Sequence, residues 1–276
     1  MLSDNDFLRF SRQILLPECG EAGQLKLRQS RVAIIGVGGL GCQVAQLLAA
    51  AGIGELWLFD DDRVELSNLP RQLLFTDADI GHNKAQVAAG LLSRRYGAAI
   101  HAFGKLDDSS IHVLGDIHWV VDCSDNFATR HRLAAHCYRH QKTLISGAIA
   151  AFEGLLFLQS ANANGKGKGR STVSEHPLSV SRAASRELAA SGCYHCLFPQ
   201  DTESATRCAT QGVLGSAVAA IAALQAQMTQ QLILGMPLPS GRMQRFDFRH
   251  FRWHEARVPA DPHCAVCAGG GESDGC

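Results

Sequence analysis

Six residues constrain this chain more than any others. Gly36-Val37-Gly38-Gly39-Leu40-Gly41 lies between a compact β-branched run, RVAIIG, and a stretch with helical apolar spacing, CQVAQLLAAAG. Missing side chains let backbone N–H groups approach phosphate oxygens, and a helix N-terminus favours negative charge there. The next run, ELWLFD, reads as a second strand ending at Asp60. Two parallel strands need the crossover helix between them, so the segment predicts a βαβ unit. Asp60 is then placed to accept hydrogen bonds from ribose hydroxyls. Taken alone this is a dinucleotide fingerprint, and glycines that only permit close helix–strand packing would look the same. The loop lacks the Gly-Lys-Ser/Thr ending of the common ATPase loop. It predicts a nucleotide without saying which.

The alternation continues downstream. Spacing predicts a helix over 84–96, strands over 99–103 and 118–122, a helix over 126–141, and strands over 143–146 and 149–159. This is the pattern of an α/β protein with a doubly wound, mostly parallel, Rossmann-like sheet. Before it, residues 1–30 read as a helical arm in which Gly20 interrupts the pattern, and 31–159 form the nucleotide-binding core. Residues 160–192, rich in Gly, Ser, Asn and basic side chains, read as a flexible surface insertion, and Lys166, Lys168 and Arg170 as solvated charges. The remainder, 193–276, holds a long helix over 212–235 and paired strands within 243–258, integrated with the core. The 276 residues carry 26 basic and 26 acidic side chains, which argues against coating nucleic acid or an anionic membrane. The apolar stretch Val213–Leu224 reads as too short and too interrupted to span a bilayer. The N-terminus lacks the regions of a signal peptide, so a soluble cytoplasmic protein is expected.

The residues beyond Asp60 narrow the chemistry. Asp60-Asp61-Asp62-Arg63-Val64-Glu65-Leu66-Ser67-Asn68-Leu69-Pro70-Arg71-Gln72 puts three acids, then Asn, Arg and Gln, just past the nucleotide crevice. A nicotinamide-dependent oxidoreductase would explain the glycine loop and Asp60 but needs no such cluster. Nucleotidyl transfer does: cations neutralise triphosphate and acids hold Mg²⁺. Lys84 opens a helix, and Asp122-Cys123-Ser124-Asp125-Asn126 closes a strand, where open α/β sheets face their ligand. Asp125 can reach a phosphate-bound Mg²⁺ there, although singly Lys84 or Asp125 could be a surface charge or a cap.

Ten cysteines in a chain without an export signal point to metal or catalysis rather than disulfides. Cys193, Cys196, Cys264 and Cys267 form two Cys-x-x-Cys knuckles, the donor set of a closed, structural tetrahedral zinc site. Two unrelated thiol pairs, or a redox pair, are the alternative. His195, between two ligands, is expected to face solvent. Cys208, beside Arg207 and just ahead of a helix, has surroundings that favour thiolate, with a spare cysteine as the alternative. Cys42 reads as packing.

Several of these segments together resemble the ThiF/MoeB/HesA family, relatives of the ubiquitin-activating enzymes. They are Ser11-Arg12-Gln13-Ile14, GVGGLG, the SNLPRQ run, Lys84, DCSDN with the nearby Arg130, both Cys-x-x-Cys pairs, and GVLG before the long helix. The likeness runs from about Asp6 to Cys267, with SRQILL and Asp60–Asp62 most similar to ThiF. It implies ATP-dependent adenylation of the C-terminal Gly-Gly of a ubiquitin-fold sulfur carrier, ThiS-like and serving thiamine synthesis. A MoeB-like enzyme acting on a molybdenum-cofactor carrier is the alternative, and a non-catalytic scaffold would account for the fold alone. By that resemblance Gly36, Gly38, Gly39 and Gly41 meet ATP, Asp60 binds its ribose, and Ser67, Asn68, Arg71, Gln72 and Lys84 surround its phosphates. Asp125 and Asn126 lie at the Mg²⁺ and phosphate end. Arg12 is supplied across a homodimer interface, and Cys208 corresponds to a cysteine that can link covalently to the carrier. No sulfurtransferase domain comes after Cys267, so a separate sulfur donor is expected. Pro70 departs from the family, where Gln is usual, and puts the local loop geometry in question.

Overall fold

The computed structural model describes residues 2–160, 191–199 and 212–268. Its frame is one eight-stranded sheet in the order β3-β2-β1-β4-β5-β6-β7-β8. The strands are β1 (Arg31–Ile35), β2 (Glu55–Phe59), β3 (Ala99–Phe103), β4 (Trp119–Asp122), β5 (Thr143–Ala150), β6 (Glu153–Gln159), β7 (Arg242–Asp247) and β8 (Arg252–Arg257). β3 through β5 in that order are parallel, and β5 to β8 are joined by antiparallel ladders. The order reverses between β1 and β4, the switch point outside whose carboxyl ends open α/β sheets bind ligands.

The helices are α1 (Asp4–Ile14), α2 (Gly20–Gln29), α3 (Gly39–Ala50), α4 (Lys84–Tyr96), α5 (Phe127–Arg139), a single turn α6 (Tyr194–Leu197) and α7 (Gly215–Leu234). Ser3 and Asp6 form a capping box at the start of α1. Asn83 and Asn126 cap α4 and α5, and left-handed Gly97 and Gly235 end α4 and α7. α3, α4 and α7 bury one face of the sheet, with Val32, Ile34, Leu56, Leu58, Val121 and Ile221 in one core. α5 and α6 cover the other, with Ala33, Ile35, Val120, Leu133, Phe157 and Tyr194 in a second. Near-continuous apolar strands such as RVAII result from burial on both faces.

The predicted helix over 84–96 and strand over 99–103 match their observed bounds. Differences elsewhere come from tertiary pairing. The strand expected to begin at 149 begins at Glu153, because Ile149 and Ala150 extend β5 and pair with Gly154 and Glu153 across a tight turn. Ala151 takes a positive φ of 51° in that turn. Gly20, expected to interrupt the helical pattern, has φ of 53° and starts the second helix, while the first ends earlier, at Ile14. α7 begins three residues later than expected, at Gly215. By length and hydropathy its 20 residues would suit a membrane span, contrary to the expectation that Val213–Leu224 is too short. Yet the helix packs along α3 and β5, and Gln225 and Thr229 are fully buried and hydrogen-bonded within the fold. The insertion at 160–192, apart from its edges, lies outside the described residues.

Candidate active site

The glycine loop is built by close backbone approach. Gly36 has φ of 87°, and a Cβ there would lie 2.8 Å from the Cys123 carbonyl oxygen. A Cβ on Gly41 would lie 1.8 Å from the Gly36 oxygen, so the first turn of α3 folds directly onto the end of β1. Asp60 locks the loop from β2: one carboxylate oxygen accepts from Val37 N at 2.6 Å, the other from Asp62 N at 2.8 Å. Burial pushes the Asp60 carboxyl upward, while those two amides and Lys84 oppose it.

The SNLPRQ segment closes over the loop. Gln43 of α3 donates to the Gly39 and Arg71 carbonyls at 3.1 and 3.2 Å. The Arg71 stem lies 3.5 Å from where a Gly39 side chain would begin. Asn68 is buried, its oxygen accepting from Glu65 N and its amide donating to the Ser67 hydroxyl. Pro70 is accommodated by a substitution of donors. Arg71 N and Gln72 N both reach the Asn68 carbonyl, which keeps the turn. The Ser67 carbonyl is taken by the Arg71 guanidinium at 3.0 Å, where an amide at position 70 would otherwise donate. Gln72 is 2% exposed, and its side-chain oxygen has no hydrogen-bond partner. An orphaned buried acceptor beside Gly38 is what a ligand pocket leaves behind.

Lys84 is buried at the start of α4, its Nζ 2.9 Å from an Asp62 carboxylate oxygen. The carboxylates of Asp60, Asp61 and Asp62 gather within 4.8 Å of one another. Across the crevice, Asp125 lies just past β4 with its side chain exposed, while Asn126 gives its oxygen to Thr129 N at 2.8 Å as the cap of α5. Glycine loop, Asp60, Arg71, Gln72, Lys84 and Asp125 therefore share the carboxyl ends of β1, β2 and β4. Arg12 is exposed and stands apart from them. α1 packs by Phe10 and Gln13 against Gly52 and Ala51, at the far end of α3. That is one helix length, about 18 Å, from the loop. Cys208 lies outside the described residues.

The two cysteine knuckles meet although 71 residues separate them. Cys193 Sγ lies 3.9 Å from Cys196 Sγ and 3.6 Å from Cys264 Sγ, and Cys196 Sγ lies 3.3 Å from Cys267 Sγ. All four sulfurs fall within 4.8 Å. A tetrahedron with Zn–S bonds of about 2.3 Å needs sulfurs roughly 3.8 Å apart, so the residues fit that metal. Asp261 N donates to Cys196 Sγ, and the Tyr138 hydroxyl donates to the Cys267 carbonyl. Burial, then the four neighbouring thiols, push the Tyr138 phenol up to about 12. His195 departs from its expected place. Instead of facing solvent it is half-buried, 4.6 Å from the His131 ring, because α6 packs on α5. Cys42 is buried packing, its thiol pushed up to about 12 by burial.

Sequence reasoning quoted Asp122 without giving it a role of its own and assigned none to Ser146 or Gln225; all three are fully buried around the Asp125 loop. The available signal was a Gln and a Thr four residues apart on the buried side of an apolar helix.

Fold and site together define a Rossmann-like α/β protein with a four-cysteine cluster. The ThiF family's sequence pattern matches residues 10–266, and the chain belongs to that family. The sulfur carrier protein ThiS adenylyltransferase of Escherichia coli is 35% identical over 282 residues, covering 97% of this chain and 98% of that one. The adenylyltransferase and sulfurtransferase MOCS3 of Aedes aegypti is 36% identical over 274 residues, covering 97% of this chain and 56% of that one. This chain spans about half the length of such MOCS3 relatives. Among solved structures, Escherichia coli MccB with ATP aligns at a TM-score of 0.70 with 21% identity, covering 98% of this chain and 83% of that one. MccB with a MccA derivative reaches 0.73 at 22% identity, covering 97% and 76%. At that identity the likeness concerns the fold.

Proposed function

We propose that this protein adenylates the C-terminal Gly-Gly of a ubiquitin-fold, ThiS-like sulfur carrier, priming it for thiocarboxylate formation in thiamine synthesis. The observation that carries the reading is the gathering of the glycine loop, Asp60, Arg71, Lys84 and Asp125 at the carboxyl ends of β1, β2 and β4. The 35% identity to the ThiS adenylyltransferase supports the thiamine reading, and a MoeB-like role with a molybdenum-cofactor carrier is the alternative.

In this reading the loop amides and the α3 N-terminus hold phosphate oxygens, and Asp60 holds the ribose while pinning Val37. Arg71 and Lys84 screen the triphosphate, Ser67, Asn68 and Gln72 complete its cradle, and Asn126 fixes the start of α5 beside Asp125. The carrier's terminal carboxylate attacks the α-phosphorus in line; an O–P bond forms, the bond to the β-phosphate oxygen breaks, and pyrophosphate leaves. A carboxylate is a poor nucleophile toward a polyanion, so charge screening and alignment supply most of the acceleration. Mg²⁺, held by Asp125, would neutralise charge on the phosphates. Zn²⁺ on Cys193, Cys196, Cys264 and Cys267 would pin the C-terminal segment to α6, without an open position for chemistry.

A homodimer completes the site. Arg12 lies toward the far end of α3 from its own loop, near Leu8 of α1 and Leu15 and Leu16 just past its end, which are exposed at 77%, 72% and 56%. Such an apolar face suits a second copy, which would receive Arg12 at its nucleotide loop. The Cys208 thiolate displaces AMP from the acyl adenylate to form a thioester with the carrier, and sulfide-level sulfur from a separate donor then displaces Cys208 to give the thiocarboxylate.

The test mixes purified protein and Mg-ATP with ThiS-like or MoaD-like carriers and reads intact masses. A carrier gaining AMP is expected with the ThiS-like protein. AMP on the MoaD-like carrier alone would transfer the reading to molybdenum-cofactor synthesis, and no product with either would refute adenylation. A carrier joined to this chain, lost in Cys208→Ala, is the expected covalent product.

A further inference from the structure

The loop that presents Asp125 is held from both faces of the sheet by side chains that do not reach the crevice. From the α7 face, Gln225 donates to the Asp122 and Ile145 carbonyls at 2.9 and 3.3 Å, and its oxygen accepts from the Cys123 thiol at 3.6 Å. Gly147 makes room for it: a Cβ there would lie 2.2 Å from the Gln225 amide carbon. From the α5 face, Arg130 donates through Nε to the Ser124 carbonyl at 3.1 Å and through Nη2 to the Ser124 and Gly147 carbonyls. Its Nε lies 3.9 Å from the Asp122 carboxylate. That carboxylate, fully buried, accepts from Ser124 N and Oγ and from Ser146 Oγ at 3.0, 2.6 and 2.7 Å.

Each clamp therefore ties the end of β4 to β5. β4 stops pairing at Asp122, opposite Ser146, while β5 runs on to Ala150. Gln225 and Arg130 donate to main-chain carbonyls of both strands at the point where they part, adding partners for polar groups held in the interior. We infer that Gln225 and Arg130 are positioning residues for adenylation, a two-sided clamp that fixes Cys123–Ser124 and so aims the Asp125 carboxylate into the crevice. This rests on the role proposed above for Asp125. Neither residue touches substrate in this arrangement; both act through Asp125.

Gln225→Met keeps side-chain length without hydrogen bonds, and Arg130→Lys keeps charge without the two-carbonyl fork. Misplacement of a reacting group by about 1 Å costs up to roughly 100-fold in rate. We expect each variant to lower kcat of carrier-dependent ATP–pyrophosphate exchange by about 10- to 100-fold while KM for ATP changes less than about twofold. Hydrogen–deuterium exchange should show faster exchange at the amides of Cys123, Ser124 and Asp125. Leu133→Ala, a core change on α5 away from the loop, serves as the stability control. It should lower Tm at least as much and leave kcat near wild type. Unchanged amide protection in both clamp variants would overturn the inference, as would a kcat loss in Leu133→Ala matching theirs. If the wild type exchanges no pyrophosphate with any carrier, the adenylation reading fails, and amide protection alone still decides whether the clamp holds the loop.

Discussion

Gly41→Ala tests the glycine loop at its tightest point. The added Cβ would meet the Gly36 carbonyl oxygen at 1.8 Å and its carbon at 2.8 Å. Both contacts are with backbone, so no side chain can swing away. Relief requires the end of β1 and the first turn of α3 to separate by more than about 1 Å, a strain at or above the top of the usual 1–3 kcal/mol range for overpacking. That separation would also pull Val37 N from Asp60, a 2.6 Å contact. For a domain this large, about 3 kcal/mol corresponds to a Tm loss of roughly 6–10 °C. Gly104→Ala is the internal comparison, with nothing within 4 Å of its Cβ and an ordinary φ, and it should be neutral or gain about 0.4–1 kcal/mol. Differential scanning fluorimetry with and without Mg-ATP measures both terms. Gly41→Ala should melt lower and lose the ATP-induced stabilisation. A variant that melts like wild type and keeps its ATP response would refute the argument that backbone approach builds this loop.

The same geometry sets further outcomes. Asp125→Ala should abolish carrier-dependent ATP–pyrophosphate exchange while leaving Tm within about 0.5 kcal/mol equivalent of wild type, as expected for an exposed side chain; retained exchange would remove Asp125 from the mechanism. Mixed dimers of Arg12→Ala and Asp125→Ala subunits should recover exchange that neither homodimer shows, because one site then holds an intact Arg12 and Asp125, whereas no recovery would contradict delivery in trans. Stripping zinc with a chelator should lower Tm and release the C-terminal segment to limited proteolysis, with metal loss confirmed by elemental analysis. An unchanged melt after confirmed loss would contradict a structural metal. His136 is held to about 4 by burial and by His140, Lys142 and Arg139. The folded protein keeps it neutral while the unfolded chain protonates near 6.5, so stability contributed by this group is full above pH 6.5 and falls as pH drops toward 4. His136→Gln should flatten the fall in denaturation midpoint between pH 7 and 5, and an unaltered slope would refute the assignment.

The local rules determined a large part of this protein. β-branched runs buried on both faces, the glycine loop, and helices with asparagine caps are set within a dozen residues, and so were β1, α3, α4 and the crevice legible from the chain alone. Asp60, Lys84 and Asp125 could be placed for a similar reason, since each falls at or just past a strand end or helix start. What the chain does not announce are partners distant in sequence. The four cysteines, read from the sequence as one donor set, meet only through tertiary packing, and the burial of His195 on α5 depends on which elements pack together. So does the work of Gln225, a polar residue on an apolar helix that would count as an interruption in any reading by hydropathy. Only the tertiary structure shows the reason for it: β4 and β5 part at Asp122, and Gln225, 103 residues from Asp122 in the chain, donates to buried carbonyls of both strands there.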